Sequence, residues 1–135
     1  MILWRLFQYV SPMKRRAIGD WRTSLSIRRR ADMDVFIRNM AKKKSWVYPD
    51  IRFLSGRHLK GFLELRWRSE NVPHRIGGYF AADDEFVMLL GWTHNANKYD
   101  PPTALELLLK RKNYLLTGEA SLDGYSIFTG HATEK

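Results

Sequence analysis

The sequence predicts an α+β fold: a small, mostly antiparallel sheet made of an N-terminal strand and a three-strand meander, with helices packed on one face. Three observations carry that expectation. Residues 62–92 hold three β-rich runs separated by turn residues. Two stretches, near 26–44 and 100–118, repeat apolar residues at helical spacing. The first ten residues are β-prone and stop at Ser11-Pro12.

In the first stretch, Leu3, Arg5, Phe7 and Tyr9 alternate with Ile2, Trp4, Leu6, Gln8 and Val10, which fits a strand over residues 2–10. The basic run that follows, residues 13–20, reads as an exposed connection or a short helical turn, with Asp20 capping a turn through Trp21. Ser26 is placed to cap a longer helix. Its expected core stripe is Ile27, Ala31, Val35 and Phe36 with Met33, Ile37, Met40 and Ala41. Arg28, Arg29, Arg30 and Arg38 fall largely on the other side, a face able to meet RNA. Residues 45–60 form a link anchored by Trp46, Tyr48 and Phe53 and broken by Pro49 and Gly56.

The meander itself is Phe62–Arg68, His74–Phe80 and Phe86–Trp92, with turns near residues 71–73 and at Asp83-Asp84. The third strand is apolar on both faces, which predicts the most buried position. Gly77-Gly78 suits a bulge or a close backbone approach. A short polar loop then leads to a helix that Asp100, Pro101 and the Thr103–Glu106 pair could open and Gly118 would end. One domain is expected over residues 1–118, with a loosely packed polar extension over 119–135.

The chain carries 23 Lys and Arg against 14 Asp and Glu, a formal charge of +9, so an anionic partner is favoured. Without cysteine there is no disulfide, thiolate nucleophile or cysteine metal site. No metal or cofactor is expected, since no pair of histidines has ligand spacing. Arg5 interrupts the opening apolar run, and no run approaches the ~20 residues that span a bilayer. A cytoplasmic protein without membrane association is the expectation.

On an ideal strand Arg66 and Arg68 point to one face and Trp67 to the other. Arg66, Arg68 and Arg75 are therefore candidate phosphate clamps, because guanidinium forks match phosphate oxygens and stay charged. The simpler alternative is a solvated face whose arginines pair with acids such as Glu64 or Glu70. His94 is the candidate general acid–base group, as histidine titrates near neutral pH. His74 is a second, beside Arg75, while Lys98 and Tyr99 are candidates for contacting phosphate and stacking on a base.

The pattern resembles the RelE/HigB superfamily of toxins from bacterial toxin–antitoxin modules, especially its phage-derived HigB-like branch. Trp21, Leu25-Ser26, Arg30-Ala31 and Trp46 carry the first part of the likeness. It continues through Leu54, Leu59, Gly61-Phe62-Leu63-Glu64-Leu65-Arg66, Arg75-Ile76 and Tyr79-Phe80. Val87-Met88-Leu89-Leu90-Gly91-Trp92, Pro102 and Ala104-Leu105-Glu106 complete it. The resemblance implies a metal-free endoribonuclease that cuts messenger RNA, usually on the ribosome, and is silenced by a cognate antitoxin such as a small helix-turn-helix protein. It implies catalysis by basic and polar groups on the concave sheet face, here His94, Arg75 and Arg66, with Arg68, His74, Lys98 and Tyr99 holding RNA. Where the family often reads Gly-Phe-x-Lys-Lys, this chain has Gly91-Trp92-Thr93-His94-Asn95. That departure keeps open a non-catalytic RNA- or protein-binding domain of phage or mobile-element origin.

Overall fold

The structure, a computed structural model, describes residues 1–95, 98–100 and 102–127, the side chains of 95 and 98–100 excepted. In chain order the elements are β1 (Arg5–Val10), α1 (Ala17–Ser24), α2 (Ile27–Lys42), β2 (Ile51–Phe53), β3 (Phe62–Ser69), β4 (Val72–Ala82), β5 (Glu85–Asn95), β6 (Lys98–Asp100), α3 (Ala104–Thr117) and β7 (Ser121–Gly124). They form an α+β fold on an open, mostly antiparallel sheet ordered β2-β3-β4-β5-β1-β7, with β6 also paired to β5. β1 runs parallel to β5, because α1 and α2 separate it from the meander in sequence and turn the chain over the sheet.

The meander is regular because its turns are cheap. Between β3 and β4 only Glu70 and Asn71 intervene, both left-handed at φ 52° and 63°, the two-residue turn whose twist matches paired strands. The ladder shifts register between Gly77 and Gly78, as a bulge there requires. A Cβ on Gly78 would lie 1.9 Å from the carbonyl oxygen of Val87, so no side chain fits. Ser26 caps α2, accepting the Arg29 N–H at 3.3 Å, and Gly118 ends α3 in the left-handed conformation.

Helices cover both sheet faces, which corrects the expectation of one. Met33, Ile37 and Met40 of α2 and Ile18 of α1 pack with Leu63, Leu65, Ile76 and Met88. On the opposite face, Ala104 and Leu108 of α3 pack with Phe62, Val87, Leu89 and Trp92. The all-apolar β5 is what allows this, since it can bury both sides.

Several local expectations are also corrected. The core face of α2 is narrower than the periodicity indicated: Met33, Ile37, Met40 and Ala41 are buried, but Ile27 and Val35 are 81% and 52% exposed. The short helical turn offered as one reading of residues 13–20 is a longer helix: α1 runs from Ala17 to Ser24, and Asp20 Oδ2 accepts the Arg16 N–H at 3.0 Å. Thr103, not Asp100, stands at the start of α3 and makes no side-chain cap. Asp100 belongs to β6, opposite Thr93, and Pro101 lies outside the described residues. Of the expected extension over 119–135, residues 121–127 are integral to the fold, while 128–135 lie outside the described residues. β7 pairs antiparallel with β1, and Tyr125 and Ile127 are buried in the core beneath α1 and α2.

Candidate nucleic-acid interface

β3 divides its side chains by simple alternation. Leu63, Leu65 and Trp67 enter the core against α2, which leaves Glu64, Arg66 and Arg68 on the α3 side. Antiparallel register then sets Arg75 of β4 directly opposite Arg66, and Trp92 of β5 directly opposite Arg75. His94, two residues beyond Trp92, shares that face and is partly buried. The sheet thus carries two arginines in one cross-strand row, a third arginine in the next, and an imidazole beyond them.

One buried carboxylate holds these cations together. Glu64 is 1% exposed, and its Oε2 lies 3.2 Å from Nε of Arg52, 3.5 Å from Nε of Arg66 and 3.5 Å from Nε of Arg75. These are Coulombic contacts rather than aligned hydrogen bonds: among the described residues neither Glu64 oxygen nor Arg66 Nε finds a hydrogen-bond partner. Arg75 Nη1 donates to the His74 carbonyl oxygen at 3.0 Å, and Arg68 Nη2 to the Asn71 carbonyl oxygen at 2.8 Å. Glu64 thus sets one negative charge against three guanidiniums.

A pocket of about 320 Å³ opens over this row, bounded by Arg66, Arg68, Pro73 and Arg75 on the sheet and by Tyr48, Pro49 and Asp50 on the link. The Arg66 N–H donates to the Asp50 carbonyl oxygen at 2.8 Å, which fixes the link against β3. The Asp50 carboxylate pairs with Lys43. The Tyr48 ring is 70% exposed, with the Arg66 guanidinium 5.4 Å from its centroid. A rigid exposed ring beside a guanidinium is a stacking platform for a base.

The predicted site residues separate clearly. Arg66, Arg68, Arg75 and His94 share one face. His74 does not, and its assignment to RNA contact is corrected. It is fully buried on the α1–α2 side, with its ring stacked on Trp67 at 5.6 Å and near Trp21 at 6.1 Å. Its Nδ1–H donates to the Val72 carbonyl oxygen at 2.8 Å. Burial lowers its pKa below the usual 6.5, the Val72 hydrogen bond opposing and nearby Arg29 and Arg75 reinforcing that shift. Lys98 and Tyr99 lie on β6, paired with Asn95 and His94, and their side chains lie outside the described residues.

Sequence reasoning missed Tyr48 and Arg52. The sequence reads Tyr48 as an anchor of the link, yet it is exposed beside Arg66. Arg52 joins the Glu64 cluster because Ile51–Phe53 adds β2 to the edge of β3, setting Arg52 opposite Glu64. The signal for that short strand was only Ile51 and Phe53 flanking an arginine. Of the two acids offered as partners for the arginines, Glu64 fills the role, while Glu70 pairs with Arg29 at 2.8 Å.

Among the described residues, no helix is long and apolar enough to cross a membrane. No protein-family model, curated protein or solved structure matches the chain.

Proposed function

We propose that this protein is a RelE/HigB-like toxin, a metal-independent endoribonuclease that cleaves messenger RNA on the ribosome and is held in check by a cognate antitoxin. The observation that carries the reading is the cross-strand pair Arg66–Arg75, with Arg68 and His94 on the same face and an exposed Tyr48 at the pocket rim.

Metal-free RNA cleavage needs a base for the 2′-hydroxyl proton, cations for the charge on the phosphorane, and an acid for the departing 5′-oxygen. Arg66 and Arg75 supply the cations at neighbouring positions, pre-aimed by Glu64 so that little reorganisation is needed. His94 supplies proton transfer, and Tyr48 a surface for the adjacent base. Arg68 extends the contact along the phosphate backbone.

A second reading, a non-catalytic RNA- or protein-binding domain of phage or mobile-element origin, is favoured by one observation. The chain has His94-Asn95 where the resembling family often has two lysines. Induced expression of wild type and His94→Ala separates the two. The toxin reading predicts growth arrest by wild type that the variant relieves and that a neighbouring antitoxin gene suppresses. The binding reading predicts salt-sensitive RNA affinity without cleavage in both proteins.

A further inference from the structure

A second cationic pocket lies at the edge of β5. β1 pairs with β5 over residues 85–88 and β6 pairs with it over 93–95, so neither strand flanks β5 between them. Arg111 of α3 reaches into that break. Its Nη1 donates to the Leu89 carbonyl oxygen at 2.7 Å, and its guanidinium lies 4.9 Å from the centroid of the Tyr9 ring. No ion pair among the described residues includes Arg111.

Arg111 lines a pocket of about 280 Å³ together with Arg15, Arg16, Ser11, Tyr9 and Trp21. Asp20 also lines it, but its Oδ2 is turned to the Arg16 backbone N–H at 3.0 Å. Arg16 Nε is held by Asp123 at 3.0 Å, which fixes that side chain at the pocket. Glu119 is near enough to influence the Tyr9 hydroxyl, and its Oε1 accepts the Thr117 hydroxyl at 2.8 Å. Burial lowers the pKa of Arg111 below its usual value, with Tyr9 opposing the shift.

We infer that the convergence of Arg15, Arg16 and Arg111 on one small pocket makes it a binding site for a phosphate group, carried by a nucleotide or by the end of an RNA chain. Guanidinium forks match phosphate oxygens, and a doubly charged phosphate answers several of them better than one carboxylate. The volume approaches the ~300 Å³ lower bound of small-ligand sites, so there is room beside the phosphate. Tyr9 and Trp21 offer that remainder an aromatic wall. This pocket shares no lining residue with the one over Arg66 and Arg75, so the inference does not rest on the ribonuclease reading.

The test is thermal unfolding of the full chain titrated with inorganic phosphate against chloride at matched ionic strength. Parallel arms use adenosine 5′-monophosphate and one RNA oligonucleotide bearing either a 5′-phosphate or a 5′-hydroxyl. Phosphate and the mononucleotide are expected to raise the melting temperature where chloride does not. Arg111→Gln and Arg15→Ser are expected to weaken that effect about tenfold, the loss of one charge-assisted contact, while Lys60→Ala, at an exposed lysine outside both pockets, leaves it unchanged. Arg15 is exposed, so its variant remains informative if Arg111→Gln does not fold. A 5′-phosphate preference among the RNAs that Arg15→Ser abolishes assigns the group to an RNA end, and its absence assigns it to a free nucleotide. The inference is overturned if chloride protects equally, if Arg15→Ser retains the effect, if Lys60→Ala removes it, or if only an acidic peptide binds.

Discussion

Arg66 and Arg75 face each other across β3 and β4, and both reach the same atom, Oε2 of Glu64, at 3.5 Å. Like charges directly opposite on a sheet normally repel and destabilise it. Here the buried carboxylate lies on the same face one row away, and the repulsion becomes tolerable. Glu64 therefore assembles the cationic face.

Glu64→Gln keeps the volume and removes the charge that Arg52, Arg66 and Arg75 share. It is expected to cost about 3 kcal/mol in urea unfolding, the usual scale for breaking a buried ion pair from one side. Arg52→Ala, removing the most exposed member of the cluster, is expected to cost under ~1 kcal/mol.

His74 gives the molecule a predictable pH response. Its pKa is lowered in the folded protein, so the unfolded chain binds a proton first as pH falls. Its contribution to stability is complete above the unfolded value near 6.5 and declines as pH drops toward and through the lowered folded value. Imidazole NMR titration of wild type, assigned with His74→Asn, is expected to show His74 protonating below the usual range. Urea midpoints between pH 7.5 and 5 should fall less steeply for His74→Asn than for wild type.

Gly91 is a steric test of the α1 contact. A Cβ there would stand 2.1 Å from Cε3 of Trp21, so Gly91→Ala must displace the indole. A loss of about 1–3 kcal/mol is expected, against little change for Gly124→Ala, where nothing lies within 4 Å. Chemical denaturation of the two variants side by side measures the difference.

The end of the chain is a fourth test. Tyr125 is buried, its hydroxyl has no partner among the described residues, and burial drives its pKa well above the usual range. Tyr125→Phe is expected to be neutral or slightly stabilising, because it removes an unsatisfied group. Tyr125→Ala is expected to cost about 3–5 kcal/mol, as for other large aromatic truncations. Urea unfolding distinguishes a packed strand from a dispensable tail.

What the sequence made legible follows its periodicity. The meander, the split of Arg66 and Arg68 from Trp67, the Ser26 cap, the Gly118 stop and the bulge at Gly77-Gly78 were all readable, because local pattern or glycine geometry determines them. The three short strands were not. β2, β6 and β7 span three or four residues each and exist through pairing with distant partners. The misplacement of His74 has a similar cause: one step along a strand reverses the face, and the true two-residue turn at Glu70-Asn71 sets that phase. Helices on both faces could be inferred only from the doubly apolar β5, a weak cue beside the amphipathic helices.

The most direct measurement is mapping of messenger RNA 5′ ends after brief induction of wild type, Arg66→Ala and His94→Ala, with folding of each verified. The account predicts new cleavage ends within translated regions for wild type that are reduced at least about 100-fold in both variants. Identical end profiles for all three folded proteins and an uninduced control would contradict it.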